Sequence, residues 1–72
     1  MSDLDIGEVA AQSGLPASTL RYYETKGLIH PVGRNGLRRQ YRADVIQTLG
    51  LITLGRDAGF SLNEVAAMFA AD

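Results

Sequence analysis

The segment spanning residues 19–29 constrains the fold most strongly, because its apolar and polar residues alternate with the period of a helix. Leu20 and Tyr23 fall on one helical face, whereas Arg21 and Tyr22 point elsewhere. An exposed arginine beside an exposed tyrosine suits a surface that contacts phosphates and base edges. The segment therefore predicts a short helix with one buried face and one functional face.

Glycines and a capping box delimit this helix and a preceding one. The Asp-Ile-Gly-Glu sequence at residues 5–8 has the spacing of a capping box, which predicts a helix start. Gly14 and Gly27 can each end a helix, and Pro16 suits the first turn of the second helix. The pair, at about residues 5–27, predicts a helix-turn-helix, although helical hairpins of other three-helix domains share the pattern.

A β-hairpin is predicted next, at about residues 30–41. Asn35-Gly36 is a strong signal for a two-residue hairpin turn with positive φ at both positions. Two interpretations of its arginines remain open: a solvated face that protects an edge strand, or a phosphate-contacting ridge beside a helix-turn-helix. The arginines in and just after the hairpin are Arg34, Arg38, Arg39 and Arg42.

Two more helices complete the predicted fold. The first spans about residues 43–57, and its Gly50 and Gly55 indicate either close packing against another helix or a shorter helix. The second spans about 61–70 and begins with another capping box, Ser-Leu-Asn-Glu. The predicted fold class is mostly α: a winged helix-turn-helix of four short helices and a small β-hairpin wing, forming one domain over 1–72.

Charge is unevenly distributed along the chain. The formal net charge is -1, but residues 21–42 alone carry +5, and the segments on either side carry -3 each. Because salt screens charges over about 8 Å, a polyanion near residues 21–42 responds to the local charge more than to the total. The distribution is therefore compatible with a nucleic-acid partner.

Other classes of function have little support in the sequence. The chain has no cysteine and a single histidine, His30, so we predict no metal site and no cofactor. The acidic residues lie mostly at helix caps and His30 has no evident catalytic partner, so we do not expect an enzyme. No apolar run approaches the roughly 18 residues that span a bilayer, and no signal peptide is evident. We expect a cytoplasmic protein that does not contact a membrane.

Four segments in this order resemble the DNA-binding domain of MerR-family transcription regulators. They are Asp5-Ile-Gly-Glu-Val-Ala, Thr19-Leu-Arg-Tyr-Tyr-Glu with Gly27-Leu-Ile, the arginine-rich wing ending at Tyr41, and Arg56 ahead of Gly59-Phe-Ser-Leu. The resemblance covers nearly the whole chain. It implies a bacterial-type regulator whose second helix enters the major groove, whose wings contact the DNA backbone, and which distorts its promoter. Members are usually two-fold dimers held by a long helix after this domain.

The resemblance also implies a set of DNA-binding residues. Arg21 and Tyr22 correspond to the groove contacts, although Tyr22 can also be a partly buried surface aromatic. Where the family more often has Tyr-Arg-x-Tyr, this chain has Leu-Arg-Arg-Gln-Tyr over residues 37–41, so both wing arginines are included. Arg56 can alternatively serve as a helix C-terminal charge. The full predicted set is Ser18, Arg21, Tyr22, Arg34, Arg38, Arg39, Tyr41 and Arg56.

The predicted function is sequence-specific binding of double-stranded DNA, at a pseudo-palindromic promoter site, in transcription regulation. Because the sequence ends at Asp72, we expect a fragment that lacks the dimerisation helix and effector domain and is a monomer or weak dimer by itself. Two alternatives remain open. The chain can be a stand-alone DNA-bending factor of the excisionase type, or a winged-helix module that binds another protein.

Overall fold

A computed structural model describes residues 3–36 and 38–70 of the chain. Four helices and three short strands follow one another, as the sequence predicts for a winged helix-turn-helix. The elements are β1 (Leu4–Asp5), α1 (Ile6–Ser13), α2 (Ala17–Thr25), β2 (Gly33–Asn35), β3 (Arg38–Tyr41), α3 (Val45–Asp57) and α4 (Leu62–Ala70).

Both predicted capping boxes form. The Glu8 amide donates to Asp5 Oδ1 and the Asp5 amide donates to Glu8 Oε1, each over 2.9 Å. The Glu64 amide donates to Ser61 Oγ over 3.1 Å, and the Ser61 amide donates to Glu64 Oε1 over 2.8 Å. Each box satisfies two amides that a helix start otherwise leaves without partners, and so fixes where α1 and α4 begin.

The end of α2 turns the chain back into the core. Gly27 has a φ of +76°, and the Leu28 amide donates to the Tyr23 carbonyl over 2.9 Å. This arrangement is a Schellman motif, which satisfies the last carbonyls of a helix and favours an apolar residue directly after the glycine. As a result Leu28 and Ile29 are both buried, and α2 is anchored at its C-terminal end.

One hydrophobic core lies beneath all four helices and the sheet. It is formed by residues on the inner faces of α1, α2, α3 and α4 together with the end of β3. Burial of these side chains supplies the main driving force for folding in a chain this short. The buried residues are Val9, Leu20, Tyr23, Leu28, Ile29, Tyr41, Val45, Leu49, Ile52, Leu62 and Val65.

The wing is part of a three-stranded antiparallel sheet of order β1-β3-β2, one strand more than the sequence predicts. Leu4 lies opposite Tyr41, so the residues just before α1 form the third strand. A two-residue strand has too little pattern to be recognised from sequence alone. Pairing with β1 ties the wing to the start of α1 and protects one edge of β3.

The hairpin turn lies one residue later than the sequence predicts. Asn35 lies opposite Arg38 as the last residue of β2, so the connection consists of residues 36 and 37. Among the described residues only glycines have a positive φ, and Gly36 has a φ of +65°. The prediction that Asn35 takes a positive φ in the turn is therefore wrong: Gly36 has the left-handed conformation and Asn35 does not. Leu37 lies outside the described residues.

The two glycines of α3 have different surroundings. A Cβ at Gly55 would lie 3.0 Å from Cγ2 of Val65, so the absence of a side chain lets α3 and α4 approach closely. A Cβ at Gly50 would meet nothing within 4 Å. Close packing therefore explains Gly55, and α3 continues through both glycines; nothing in the structure explains Gly50.

Candidate nucleic-acid interface

The exposed face of α2 has the composition that the sequence predicts. Leu20 is fully buried and Tyr23 is 6% exposed, so the inner face of the helix is fixed in the core. On the outer side Ser18 and Arg21 are exposed, and Tyr22 is 51% exposed. Because the inner residues leave the helix little freedom to rotate, the outer side chains are presented in a fixed direction.

Lys26 also lies on this face, although it is not among the residues predicted from the sequence. Its Nζ lies 5.7 Å from the centre of the Tyr22 ring, within the range of a cation–π interaction. The contact adds a positive charge next to Tyr22 and restricts its ring. The spacing of four residues places both side chains on one side of the helix, and this spacing is the signal that could have identified Lys26.

The wing presents Arg34 to solvent but holds Arg39 against the protein. Arg34 is exposed and lies directly opposite Arg39 on the neighbouring strand. Arg39 Nε lies 3.1 Å from Glu24 Oε2, with the arginine side chain 30% exposed and the glutamate 21%. Hydrogen-bond geometry is not met at this Nε, so the contact is an ion pair. The backbone of Arg38 begins β3, but its side chain lies outside the described part of the chain.

Tyr41 is not at the surface. Its side chain is fully buried, and its hydroxyl has no hydrogen-bond partner among the described residues. Burial raises the pKa of Tyr41 above its ordinary value of 10.0, and the nearby Glu24 carboxylate raises this pKa further. The sequence predicts that Tyr41 contacts DNA, but the structure places its side chain in the core with no exposed area.

The remaining basic residues lie on or before α3. Arg56 is exposed in the last turn of the helix, where its charge also complements the helix dipole. Arg42 is exposed and pairs loosely with Asp44, with 3.6 Å between Nε and Oδ2. An exposed pair of this kind adds little to stability. Because the Arg56 side chain is exposed, it can contact a binding partner such as DNA.

Other kinds of site are not apparent in the described residues. No group of three or more His, Asp or Glu side chains there could hold a metal ion. No helix of the described ranges is long and apolar enough to cross a membrane. An open groove of about 360 Å³ between α3 and α4 is lined almost entirely by apolar side chains, including Leu51, Leu54 and Phe60.

Comparison with known sequences connects the chain to a protein family. The family profile described as MerR HTH family regulatory protein matches residues 4–72. The HTH-type transcriptional activator SoxR homolog of Chromobacterium violaceum is 42% identical over 69 residues, which cover 96% of this chain and 47% of that protein. The HTH-type transcriptional regulator HmrR of Rhizobium leguminosarum bv. viciae is 43% identical over 68 residues, which cover 93% of this chain and 52% of that protein.

Solved structures share the fold. A MerR-family transcriptional regulator from Bacillus cereus superposes with a TM-score of 0.84 at 29% identity, over 99% of this chain and 55% of that one. HiNmlR, a MerR-family regulator lacking the sensor domain and bound to promoter DNA, superposes with a TM-score of 0.80 at 28% identity, over 93% of this chain and 54% of that one. The present chain spans about half the length of the curated relatives that it matches.

Proposed function

Because the chain belongs to the family of MerR helix-turn-helix regulatory proteins, we propose that it binds double-stranded promoter DNA sequence-specifically in the control of transcription. One observation carries the proposal: the inner face of α2 is fixed in the core while Ser18, Arg21 and Tyr22 face outward. This is the arrangement that a recognition helix needs in the major groove. A relative of the same fold, HiNmlR, is bound to promoter DNA.

The residues have different roles in this proposal. Arg21 and Tyr22 contact base edges, since an arginine can bind the O6 and N7 acceptors of guanine in the major groove. Ser18, near the start of α2, contacts a phosphate or a base. Arg34 contacts phosphates from the wing, and Arg38 and Arg56 are assigned to the backbone on the family resemblance. Arg39 and Tyr41 are omitted from the direct contacts, because the first is paired with Glu24 and the second is buried.

We further propose that residues 1–72 act as the DNA-binding domain of a longer cytoplasmic regulator, with no enzymatic role. One recognition helix reads one half-site, so a two-fold homodimer on a pseudo-palindromic promoter would double the contacts. The chain by itself is then a monomer or weak dimer that binds DNA weakly. Sedimentation velocity measures the oligomeric state of the chain with and without a fused dimerising coiled coil. The gain in DNA affinity on fusion measures how weakly the chain binds DNA by itself.

A duplex-binding titration tests the proposed function. A duplex of about 30 base pairs is recovered from a random pool with the dimerised chain, and its affinity is measured between about 50 and 200 mM salt. We expect log K to fall linearly with log salt, and Arg34→Gln to flatten the slope by about 0.9 for every sequence. Arg42→Gln, which removes the same charge from an exposed residue outside the proposed contacts, is the control for an altered net charge. No duplex binding at any salt concentration would overturn the proposal.

A further inference from the structure

Glu24 links the recognition helix to the wing. It is the only acidic residue in the basic segment 21–42, and it lies one helical turn after Arg21. Both α2 and β3 pack against α1, and the ion pair from Glu24 to Arg39 joins these two elements directly. The pair is half-buried, so solvent screens it less than a surface pair.

The position of Arg39 in the sheet gives this pair a second effect. Arg39 lies directly opposite Arg34 on β2, and residues opposite each other in antiparallel strands project from the same face. Two like charges in this position repel each other. The Glu24 carboxylate neutralises one of them, which leaves Arg34 as the exposed cation of the pair.

The buried Tyr41 lies beside the same group of charges. Tyr41 follows Arg39 by two residues, so the strand places both side chains on one face. Burial first, and then Glu24, raise the pKa of the Tyr41 hydroxyl, whereas Arg39 and Arg21 lower it. The charges that shift this pKa belong to α2 and β3, the two elements that the ion pair from Glu24 to Arg39 joins.

We propose that Glu24 is a positioning residue for DNA binding: through Arg39 it sets the orientation of the wing relative to α2 and keeps Arg39 away from the phosphates. The part of this inference that concerns DNA rests on the proposed function. In the paired state Glu24 is also occupied, so it does not compete with the DNA for Arg21 at the i, i+3 spacing.

Substitution of Glu24 and substitution of Arg39 have different effects, because each leaves the other charged side chain of the pair without its partner. Glu24→Gln frees Arg39, which can then bind phosphates regardless of sequence. Arg39→Gln frees Glu24, whose carboxylate can then pair with Arg21 and draw it away from base edges. Glu24 removal therefore raises affinity for unrelated DNA, whereas Arg39 removal lowers affinity for the selected duplex. Both substitutions therefore lower the specificity ratio, which is the affinity for the selected duplex divided by the affinity for an unrelated duplex.

Hydrogen exchange of backbone amides tests the link without DNA. We expect Glu24→Gln and Arg39→Gln each to speed exchange in β3 by about tenfold, with α1 and α3 unchanged, because the wing loses its tie to α2. Asp44→Asn is the matched control for Glu24→Gln: it removes the carboxylate of the Arg42 pair and changes the net charge by the same amount, and Asp44 makes no side-chain cap bond to α3. Unchanged exchange in β3 of the Glu24 and Arg39 variants overturns the proposal, whether or not DNA binds.

Binding to the selected duplex and to an unrelated duplex of equal length tests the consequence. We expect Glu24→Gln to bind the unrelated duplex a few-fold more tightly with a salt slope steeper by about one unit. We expect the specificity ratio to fall about fivefold in each single variant and to fall less in the double variant, which contains neither a freed Arg39 nor a freed Glu24 carboxylate. Asp44→Asn keeps the wild-type ratio.

Two other results distinguish failure of the Glu24 proposal from failure of the proposed function. A phosphate-contacting Arg39 would show itself if Arg39→Gln flattened the salt slope by about 0.9 with an unchanged specificity ratio; that result overturns the proposal. Absence of duplex binding by the wild-type chain overturns the proposed function, while the exchange measurement still decides whether Glu24 holds the wing.

Discussion

The outer face of α2 and the inner face of β3 each present an arginine and a tyrosine, yet the two pairs have different surroundings. On α2, Arg21 is exposed and Tyr22 is 51% exposed, with Lys26 over its ring. On β3, Arg39 is paired with Glu24 and Tyr41 is fully buried. The same residue types are thus exposed to solvent in one place and held against the protein in the other.

The difference shows that charge and aromatic character do not identify an interface by themselves. An arginine contributes to DNA affinity when its guanidinium is free to neutralise a phosphate or reach a base. A tyrosine that is buried contributes its apolar area to the core instead.

The largest difference should appear in stability. Tyr41→Ala removes a fully buried aromatic ring and should lower the free energy of unfolding by about 3 to 5 kcal/mol, which would leave a domain of this size largely unfolded. Tyr22→Ala should change it by less than about 0.5 kcal/mol. Urea denaturation followed by circular dichroism measures both. Similar losses in the two variants would contradict the assignment of Tyr22 to the surface and Tyr41 to the core.

The next effect concerns DNA affinity. Arg21→Ala should cost about 1 to 3 kcal/mol on the selected duplex and relax the preference for one base, because an exposed side chain that contacts a base edge is lost. Its free energy of unfolding should stay near that of the wild type. Fluorescence anisotropy titrations against selected and unrelated duplexes measure the difference. An equal loss on both duplexes would assign Arg21 to the phosphates instead.

A smaller effect concerns the hydroxyl of Tyr41, which has no hydrogen-bond partner within residues 3–36 and 38–70. Tyr41→Phe removes this buried polar group and should raise the free energy of unfolding by about 1 kcal/mol near neutral pH. The pKa of Tyr41 is raised in the folded state, so the unfolded chain releases this proton first, near pH 10. The wild type therefore loses stability as pH rises above about 10, and the variant should lack this part of the loss. Denaturation between about pH 9 and 11 tests the difference.

The smallest effect concerns the contact between Lys26 and Tyr22. Lys26→Gln should lower affinity for all duplexes by about 0.5 kcal/mol, through the loss of a charge and of a weak cation–π contact at an exposed site. Lys26→Arg keeps both interactions and serves as the control. Comparison of the salt slopes should show a decrease of less than one unit for the glutamine variant only. A selective loss on the selected duplex would instead make Lys26 a base contact.

The sequence was sufficient for the parts of the fold that local patterns determine. Capping boxes and glycine helix ends are local hydrogen-bond arrangements, so α1, α2 and α4 could be placed from them. Helical periodicity likewise separated Tyr22 from Tyr23 correctly. Each of these features depends on residues within about one helical turn of one another.

The wing depends on pairings between distant residues, and there the sequence was insufficient. Burial of Tyr41 depends on β1, a two-residue strand that is distant along the chain but paired with β3, and on the sheet register. A one-residue shift of register moves every side chain to the opposite face of a strand. The pairing of Arg39 with Glu24 is likewise a tertiary contact between α2 and β3, and no spacing in the sequence indicates it.

The central claim, that α2 contacts base edges in the major groove through Arg21, has a direct test in modified duplexes. Replacing single guanines of the selected duplex with 7-deazaguanine removes the major-groove N7 acceptor and leaves base pairing intact. At one guanine per half-site the wild-type chain should lose about 1 kcal/mol, and Arg21→Ala should lose nothing further. Inosine at the same positions removes the minor-groove amino group and should have no effect. Sensitivity to inosine but not to 7-deazaguanine, in either protein, would contradict the account.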